Sequence, residues 1–413
     1  MTAFSKKLTL IKKMLYSLKQ GDFVFKKYPT DVLLFGDDSR NIKLGEKYYQ
    51  PLMDSIRDDL ESSGLACLYL DTPFSLQNLK NAWGVSGTIN RGYFLSWLYD
   101  LIFFSGKKHR IKFYANIITS TEAKFIFMFN APKPLCIAAY NNRIPCIELL
   151  HGIGYIPPIP WGWEKRSSQE LPTHILSLDE ESTQTFSTLE NKGTKVIQIE
   201  HPFVKRFLIE DLHKKLPQEW LELFNSKNRK IILISLQWGY SGDSSKFTGI
   251  LKNGILYEAF EDIIKQTKNN IFWGFRLHPV QLDSIRYKKH FNYIKELVEK
   301  HENTDWEWFT YKPLPTVLKN CDGHITMISM SAYEAAYMGV NTLALCPTLQ
   351  RGEIHQDMFS DLEKSGYLKK ALVNTEGIIK WTESVTKTSS LLKIQDDSAW
   401  VKFLSSLKPN KDT

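Results

Sequence analysis

The chain has 413 residues, 43% hydrophobic and 24% charged, which is typical of a soluble globular protein. This length excludes a single ordinary core, so two domains of about 150–200 residues each are expected. The formal net charge is +8, and residues 1–30 hold seven lysines against Asp22 alone, so most of the excess positive charge lies at one end.

The cysteines and the N-terminus indicate a cytoplasmic protein. The five cysteines are scattered and lie mostly in apolar runs, which predicts reduced core thiols; they are Cys67, Cys136, Cys146, Cys321 and Cys346. No pair has metal-ligand spacing, so no structural zinc site is expected. The N-terminal charges are not followed by the apolar stretch of a signal peptide, which predicts that the protein stays in the cytoplasm.

Two segments are candidates for contact with an anionic membrane surface. The longest apolar stretch, YFLSWLYDLIFF (93–104), contains Asp100 and is shorter than the roughly 20 residues that cross a bilayer. It is followed by the basic sequence GKKHRIK. The other segment is an N-terminal helix candidate with Leu8, Ile11, Leu15 and Leu18 at helical spacing between lysines. The alternative is that each helix packs on the protein and leaves its lysines in water.

The first half of the chain alternates short apolar runs with helical patterns, including one at 49–63. The predicted strands are 31–36, 65–71, 124–130, 145–151, 174–179 and 195–200. Strands that are apolar throughout and separated by helices indicate a parallel sheet covered on both faces.

The second half repeats this pattern after a polar stretch. Its predicted strands are 229–237, 270–279, 324–329 and 341–346, and its predicted helices are 252–268, 282–301, 314–320 and 331–338. We therefore predict an α/β protein of two doubly wound, Rossmann-like domains facing each other across a cleft. The predicted boundaries are an acceptor domain at 1–205, a linker at 206–228, a nucleotide-donor domain at 229–385, and a C-terminal helical segment at 386–413 that packs on the first domain.

The fourth predicted strand ends in titratable side chains. The segment IELLHGIGYIPPIPWGWEKR (147–166) places Glu148 in the strand and His151 at its end. In open parallel sheets, ligands bind beyond the carboxyl ends of the strands, so both residues are site candidates. A turn after the strand would bring the Glu148 carboxylate toward the imidazole. The alternative is a structural histidine that only hydrogen-bonds.

The loop after His151 is stiff and aromatic. Its glycines allow close backbone approach, and its prolines restrict the chain. Trp161 and Trp163 offer flat surfaces on which sugar rings can stack. The alternative is an aromatic lid that only packs.

Two segments of the second half are candidates for phosphate binding. RLHP (276–279) places Arg276 and His278 two positions apart at a strand end, which suits two donors holding one phosphate. The loop QWGYSGDSS (237–245), with Gly239, follows the preceding strand. The alternative for RLHP is an exposed strand end stopped by proline.

A third segment, TMISMSAYEAAYMG (326–339), crosses from strand to helix. Ser329 and Ser331 lie near the predicted helix N-terminus, where hydroxyls and backbone N–H groups favour an anion. Glu334, one turn further on, can accept hydrogen bonds from ribose hydroxyls. Phosphate at the start of the helix and ribose one turn later together indicate a bound nucleotide.

These segments, in this order, resemble the GT-B glycosyltransferases of bacterial surface polysaccharide assembly. IPCIELLHG is similar to the strand that ends in His-Gly, RLHP to the Arg-x-His-Pro motif, and ITMISMSAYEAAYMGVNTLAL to the strand and helix that close the donor site. The likeness covers about residues 120–350. It is strongest to the Kdo-transferring and polysialic-acid capsule enzymes and more remote to the teichoic-acid glycerophosphotransferases. The sequence departs from the pattern at Met330, where a second consecutive serine is frequent.

The resemblance implies a sugar transferase. Arg276 and His278 would hold the phosphate of a cytidine-activated donor such as CMP-Kdo or CMP-sialic acid, and His151 would act as general base or bind the acceptor. The acceptor would be a growing capsule, O-antigen or lipooligosaccharide glycan, free or lipid-linked. The donor is a substrate, so no cofactor is expected. The open alternatives are a UDP-, GDP- or dTDP-sugar donor, a nucleotide-sugar epimerase or hydrolase on the same fold, and a noncatalytic scaffold.

Acidic residues after the first strand are weaker candidates. Asp37 and Asp38 lie in the half expected to take the acceptor, where they could bind sugar hydroxyls, but capping the next helix is an ordinary use of such residues. Because no Asp-x-Asp signature ends a strand, a metal-independent reaction is expected.

Overall fold

The chain divides into two compact units, Met1–Phe203 with Gln395–Thr413, and Val204–Ile394. The computed structural model describes residues 15, 18, 28–36, 42–44, 47–71, 83–152, 154–209, 229–240, 249–251, 253–278, 281–282, 287–388 and 398–407. Asp37, Asp38, most of the N-terminal helix candidate and most of the predicted linker lie outside these residues.

The first unit is built on a seven-stranded parallel sheet in the order β5-β4-β1-β6-β7-β8-β9, beside a separate β2-β3 hairpin. Its strands are β1 (Val32–Phe35), β2 (Ile42–Leu44), β3 (Lys47–Tyr49), β4 (Cys67–Asp71), β5 (Gly87–Thr88), β6 (Phe125–Met128), β7 (Cys146–Leu149), β8 (His174–Ser177) and β9 (Lys195–Gln198). The helices are α1 (Pro51–Ser62), α2 (Asn90–Ile102), α3 (Lys108–Thr121), α4 (Lys133–Asn141), α5 (Glu180–Ser187) and α6 (Pro202–Ile209), whose course takes the chain into the second unit.

The C-terminal helix belongs to the first unit. Phe403 packs against Phe127 of β6, with ring centroids 6.5 Å apart, and against His174 of β8 at 5.6 Å. This helix is designated α14 (Ser398–Leu407).

The second unit is built on a six-stranded parallel sheet in the order β12-β11-β10-β13-β14-β15. Its strands are β10 (Lys230–Ser235), β11 (Ile271–Arg276), β12 (Thr304–Asp305), β13 (Gly323–Thr326), β14 (Thr342–Ala344) and β15 (Leu368–Lys370). The helices are α7 (Ala259–Gln266), α8 (Lys288–Lys300), α9 (Glu307–Tyr311), α10 (Leu314–Lys319), α11 (Ser331–Tyr337), α12 (Ser360–Lys364) and α13 (Thr375–Ser384).

The fold class predicted from the sequence is confirmed, since each unit is a parallel sheet with helices, as in Rossmann-like domains. Each predicted apolar run contains a strand. Because the strands of each sheet are parallel, their carboxyl ends lie at one edge, and the reversal of strand order at β1 and at β10 opens a crevice at that edge. Within the described part of the chain, no helix is both long and apolar enough to cross a bilayer.

The predicted helix over 252–268 is too long, because among its described residues, 253–268, only Ala259–Gln266 is helical. Before it, the Asn253 side chain accepts hydrogen bonds from the N–H groups of Ile255 and Leu256, at 3.0 and 2.9 Å. Gly254 has φ 77°, a left-handed conformation that glycine adopts readily. The side chain and the glycine therefore form a turn that delays the helix.

Candidate functional site

His151 follows β7 in the first unit and lies among aromatic rings. Its ring centroid is 5.5 Å from that of Trp161, 6.2 Å from Phe129 and 6.4 Å from Tyr155. Phe129 follows β6, the strand next to β7, so the carboxyl ends of two neighbouring strands bring these rings together. The imidazole is half-buried, and the Trp161 side chain beside it is 42% exposed.

Tyr155 is held from two sides. A Cβ atom at Gly152 would lie 2.7 Å from the Tyr155 hydroxyl oxygen, so the tyrosine ring can pack here only over a glycine. The Tyr155 N–H donates to Ser182 Oγ at 3.1 Å, and its carbonyl accepts from Thr185 Oγ1 at 2.6 Å. Helix α5 thereby fixes one side of the His151 environment.

The two tryptophans of the loop have different environments. Trp161 has φ 61°, a left-handed conformation that is strained for an aromatic residue, and it remains partly exposed. Trp163 is fully buried, with its ring centroid 5.6 Å from Phe186 and 5.2 Å from the Arg166 guanidinium carbon. The prediction that Trp163 offers a surface for sugars is therefore wrong, because its ring is part of the core.

Glu148 is completely buried in β7 and supports the backbone of the neighbouring loop. Its two carboxylate oxygens accept hydrogen bonds from the N–H groups of Asn130 and Ala131, at 2.8 and 2.7 Å. Both of these residues have positive φ, 62° and 31°, an uncommon conformation that needs such support. The contacts give Glu148 a structural role, and its catalytic role stays a prediction.

In the second unit, the loops after β10 and β11 meet at aromatic side chains. The rings of Trp238 and His278 are 6.0 Å apart, and His278 is exposed. The His278 N–H donates to Gln281 Oε1 at 2.7 Å. Gly239, next to Trp238, has φ 100°, which non-glycine residues rarely adopt. In this loop Gly239 was predicted from the sequence as a site residue, and Trp238 was not.

Gln237 connects the same loop to the end of β13. Its Oε1 accepts from the Ile328 N–H at 2.9 Å, and its Nε2 donates to the Ile328 carbonyl at 3.5 Å. A small cavity lies beside this connection. It is lined by the ends of β10 and β13 together with Tyr257 and Leu345. The two hydrogen bonds therefore hold the loop after β13 against the loop after β10.

Arg276 and Glu334 interact electrostatically. Arg276 is half-buried at the end of β11, and its Nη1 donates to the carbonyls of Phe309 and Lys312. Burial lowers the pKa of Arg276 to about 10, opposed by the charge of Glu334. Burial raises the pKa of Glu334 to about 7, opposed by the charge of Arg276. Titratable groups with such strongly shifted pKa values are concentrated at functional sites.

A chain of hydroxyl groups runs from the core to Ser329. Buried His324 of β13 has Ser235 Oγ 2.8 Å and Ser331 Oγ 3.3 Å from Nε2, and Thr342 Oγ1 3.0 Å from Nδ1. Burial lowers the pKa of His324 to about 3, so the imidazole is neutral. Ser331 donates to Ser329 Oγ from its hydroxyl at 3.0 Å and from its N–H at 3.3 Å. The Ser329 oxygen accepts these bonds, which leaves its own proton to be donated elsewhere.

The structure places the predicted residues on both units. In the second unit, Arg276 is coupled to Glu334 by charge, Ser329 is hydrogen-bonded to Ser331, and His278 lies beside Trp238, next to Gly239 in the chain. His151 and Glu148 lie on the first unit. His324 was not predicted, because a buried histidine in an apolar strand gives no signal in the sequence that separates it from an ordinary core residue.

Solved structures with the same fold include nucleotide-sugar enzymes. The UDP-GlcNAc 2-epimerase of Neisseria meningitidis, bound to UDP-GlcNAc, aligns with TM-score 0.58 and 14% identity over 91% of this chain and 99% of its own. The wall teichoic acid polymerase TagF aligns with TM-score 0.50 and 12% identity over 98% of this chain and 90% of its own. The kitacinnamycin glycotransferase aligns with TM-score 0.50 and 13% identity over 92% of this chain and 94% of its own.

Comparison by sequence adds no family assignment. No protein-family model matches the chain, and no curated protein matches it. The similarity to the solved structures, at identities of 12–14%, establishes that the chain has the two-domain fold of these enzymes.

Proposed function

We propose that the protein is a glycosyltransferase that moves a sugar from a nucleotide-activated donor to a glycan acceptor. The observation that carries this proposal is the group at the strand ends of the second unit. There, the Arg276 guanidinium is coupled to the Glu334 carboxylate, and Ser329 has a hydroxyl proton to donate. Cationic, anionic and hydroxyl groups at the carboxyl edge of a parallel sheet suit a phosphate and a ribose.

Each residue of this group has a distinct role in the proposal. His278, exposed beside Trp238, donates to the donor phosphate, and Ser329 donates a second hydrogen bond. Arg276 holds the backbone at Phe309 and Lys312 with Nη1 and supplies positive charge near the phosphate. The Glu334 carboxylate accepts from ribose hydroxyls. Gly239 lets the β10 loop approach the nucleotide closely.

The acceptor binds the first unit. We place a sugar ring on the exposed face of Trp161, with the acceptor hydroxyl near His151, which takes its proton. Glu148 positions the Asn130–Ala131 backbone around this site. His151→Ala should lower turnover about 10²–10⁴-fold and leave donor affinity unchanged. Normal turnover, or a defect in donor binding alone, would contradict this role.

The finer assignments rest on the motif resemblance. The RLHP segment supports a cytidine-activated donor such as CMP-Kdo or CMP-sialic acid, and a capsule, O-antigen or lipooligosaccharide acceptor. UDP-, GDP- and dTDP-sugars are the alternatives. We place the reaction in the cytoplasm because all five cysteines are free thiols. We also propose that no metal is required, so that a chelator leaves transfer unchanged.

The reaction class is tested by the products. The purified protein is incubated with a radiolabelled donor, with and without an oligosaccharide acceptor. Transfer predicts that label enters the acceptor and that free nucleotide appears in equal amount only when acceptor is present. A new sugar isomer that remains attached to the nucleotide would establish an epimerase. Nucleotide release without acceptor would establish a hydrolase.

A further inference from the structure

The C-terminal end of α2 and the two residues that follow it carry large exposed apolar side chains. The exposed fractions are 48% for Tyr99, 55% for Leu101, 54% for Ile102, 63% for Phe103 and 92% for Phe104. We call these residues the 99–104 patch. Contiguous exposed apolar side chains on a protein surface mark sites that contact a partner or a membrane.

The patch is held in place by an ordered turn. Buried Asp100 accepts hydrogen bonds from Ser105 Oγ at 2.9 Å, the His109 N–H at 2.8 Å and Arg110 Nε at 2.8 Å. Burial alone would raise the pKa of Asp100, but these bonds, with Arg110 foremost, lower it to about 2. The exposure of Leu101–Phe104 is therefore fixed by contacts that join α2 to α3.

Phe104 is in an unfavourable conformation for its residue type. Its φ is 48°, in the left-handed region that favours glycine or asparagine. With 92% of the side chain exposed, burial in the chain does not compensate for this strain. Packing within the chain therefore gives no reason for a phenylalanine at position 104. Contact of its ring with an apolar partner outside the chain would give one.

The surroundings of the patch are basic. Residues 105–112, SGKKHRIK, contain Lys107, Lys108, Arg110 and Lys112 and no acidic residue. Lys108 and Lys112 are exposed. At the other end of α2, Arg91 Nε donates to the carbonyl of Leu18 at 2.9 Å.

We propose that the 99–104 patch docks on the surface of an anionic lipid bilayer, with its aromatic side chains in the headgroup region and the lysines against lipid phosphates. This inference goes beyond the proposed reaction and does not depend on it. Exposed aromatic and aliphatic groups beside a cationic flank are the combination that interfacial membrane binding uses. A second copy of the chain is a poorer occupant, because it would bring an identical cationic flank into contact.

The test is vesicle flotation of the full chain and of two matched variants. Vesicles of phosphatidylglycerol with phosphatidylcholine are compared with vesicles of phosphatidylcholine alone. Phe104→Asn removes the most exposed ring but suits the left-handed φ, so its melting temperature should be unchanged or higher. Tyr28→Asn is the control: this tyrosine is 47% exposed, and its N–H donates to the Ser120 carbonyl near the opposite end of α3.

We expect the wild type to float with the anionic vesicles and less with the neutral ones. Phe104→Asn should lower the apparent affinity roughly tenfold, from the loss of one buried aromatic side chain, and Tyr28→Asn should not change it. Lys107→Glu with Lys108→Glu should abolish the preference for anionic lipid. The inference is overturned if the wild type does not float, if Phe104→Asn floats equally, or if sedimentation shows a dimer that Phe104→Asn dissociates.

Discussion

Trp161 and Trp163 lie two positions apart in the loop after β7, but one ring is exposed beside His151 and the other is in the core. Trp161→Ala should raise the acceptor KM with little change in kcat, because it removes binding shared by the ground and transition states. Trp163→Ala should instead destabilise the fold by about 3–5 kcal/mol. Acceptor kinetics and thermal unfolding of both variants check this. A Trp161→Ala enzyme with unchanged acceptor KM would remove the sugar platform.

Glu334 should make donor binding depend on pH. Its pKa is raised to about 7, so it gains a negative charge as pH rises through neutrality and can then accept from both ribose hydroxyls. We expect nucleotide affinity to increase between about pH 6 and pH 8 and Glu334→Gln to lose this increase. Arg276→Gln should move the midpoint of the increase to higher pH, because the Arg276 charge stabilises the carboxylate. Titration calorimetry across this range checks the effect, and a flat wild-type profile would contradict it.

The raised pKa of Glu334 also makes the stability of the folded protein depend on pH. The folded state holds the Glu334 proton more tightly than the unfolded chain, whose carboxyl titrates near 4.5. Its contribution to stability is therefore complete below about pH 4.5 and is lost as pH rises to about 7. Glu334→Gln should reduce the slope of the unfolding free energy against pH in this interval. Denaturant unfolding at several pH values measures that slope.

At the scale of elements, the segment from β13 to α11 holds two hydroxyl groups for which we propose different roles: Ser329 binds the donor, and Ser331 supports Ser329. Ser329→Ala should weaken donor binding by about 0.5–1.5 kcal/mol, the usual contribution of a hydrogen bond, and lower the melting temperature less than Ser331→Ala does, because Ser331 keeps its contact with His324. Ser331→Ala should lower the melting temperature, since Ser331 bonds to both Ser329 and buried His324. Calorimetry and thermal unfolding distinguish them, and equal effects of the two variants on both measurements would contradict the assignment.

The sheets could be predicted because their strands are buried on both faces and so read as continuous apolar runs, such as Ile231–Ile234 within β10. The strands that escaped prediction have only two or three residues, as in β5 and β15. Pairing with a neighbouring strand defines these segments, and their own composition does not.

The candidate site was predictable only in part, for a physical reason. The chain order of strands places Arg276, Ser329 and Glu334 at one sheet edge, which topology alone implies. The roles of other residues depend on burial, which the sequence does not show. Trp161 and Trp163 are the same residue type, but Trp163 is buried against Phe186 and Trp161 is partly exposed. The contacts of Glu148 with Asn130 and Ala131 likewise cross between neighbouring strands, and the sequence carries no mark of them.

At the scale of the whole molecule, we propose that the second unit binds a nucleotide-activated sugar through His278 and its neighbours. The most direct test is titration calorimetry of the wild type and His278→Ala with CMP, UDP, GDP and dTDP. We expect the wild type to bind one of these four nucleotides more tightly than the others. His278→Ala should bind it with a Kd at least roughly tenfold higher, from the loss of a charge-assisted hydrogen bond of about 1.5–3 kcal/mol, at an unchanged melting temperature. A wild type that binds none of the four nucleotides, or a variant that binds as tightly as the wild type, would contradict it.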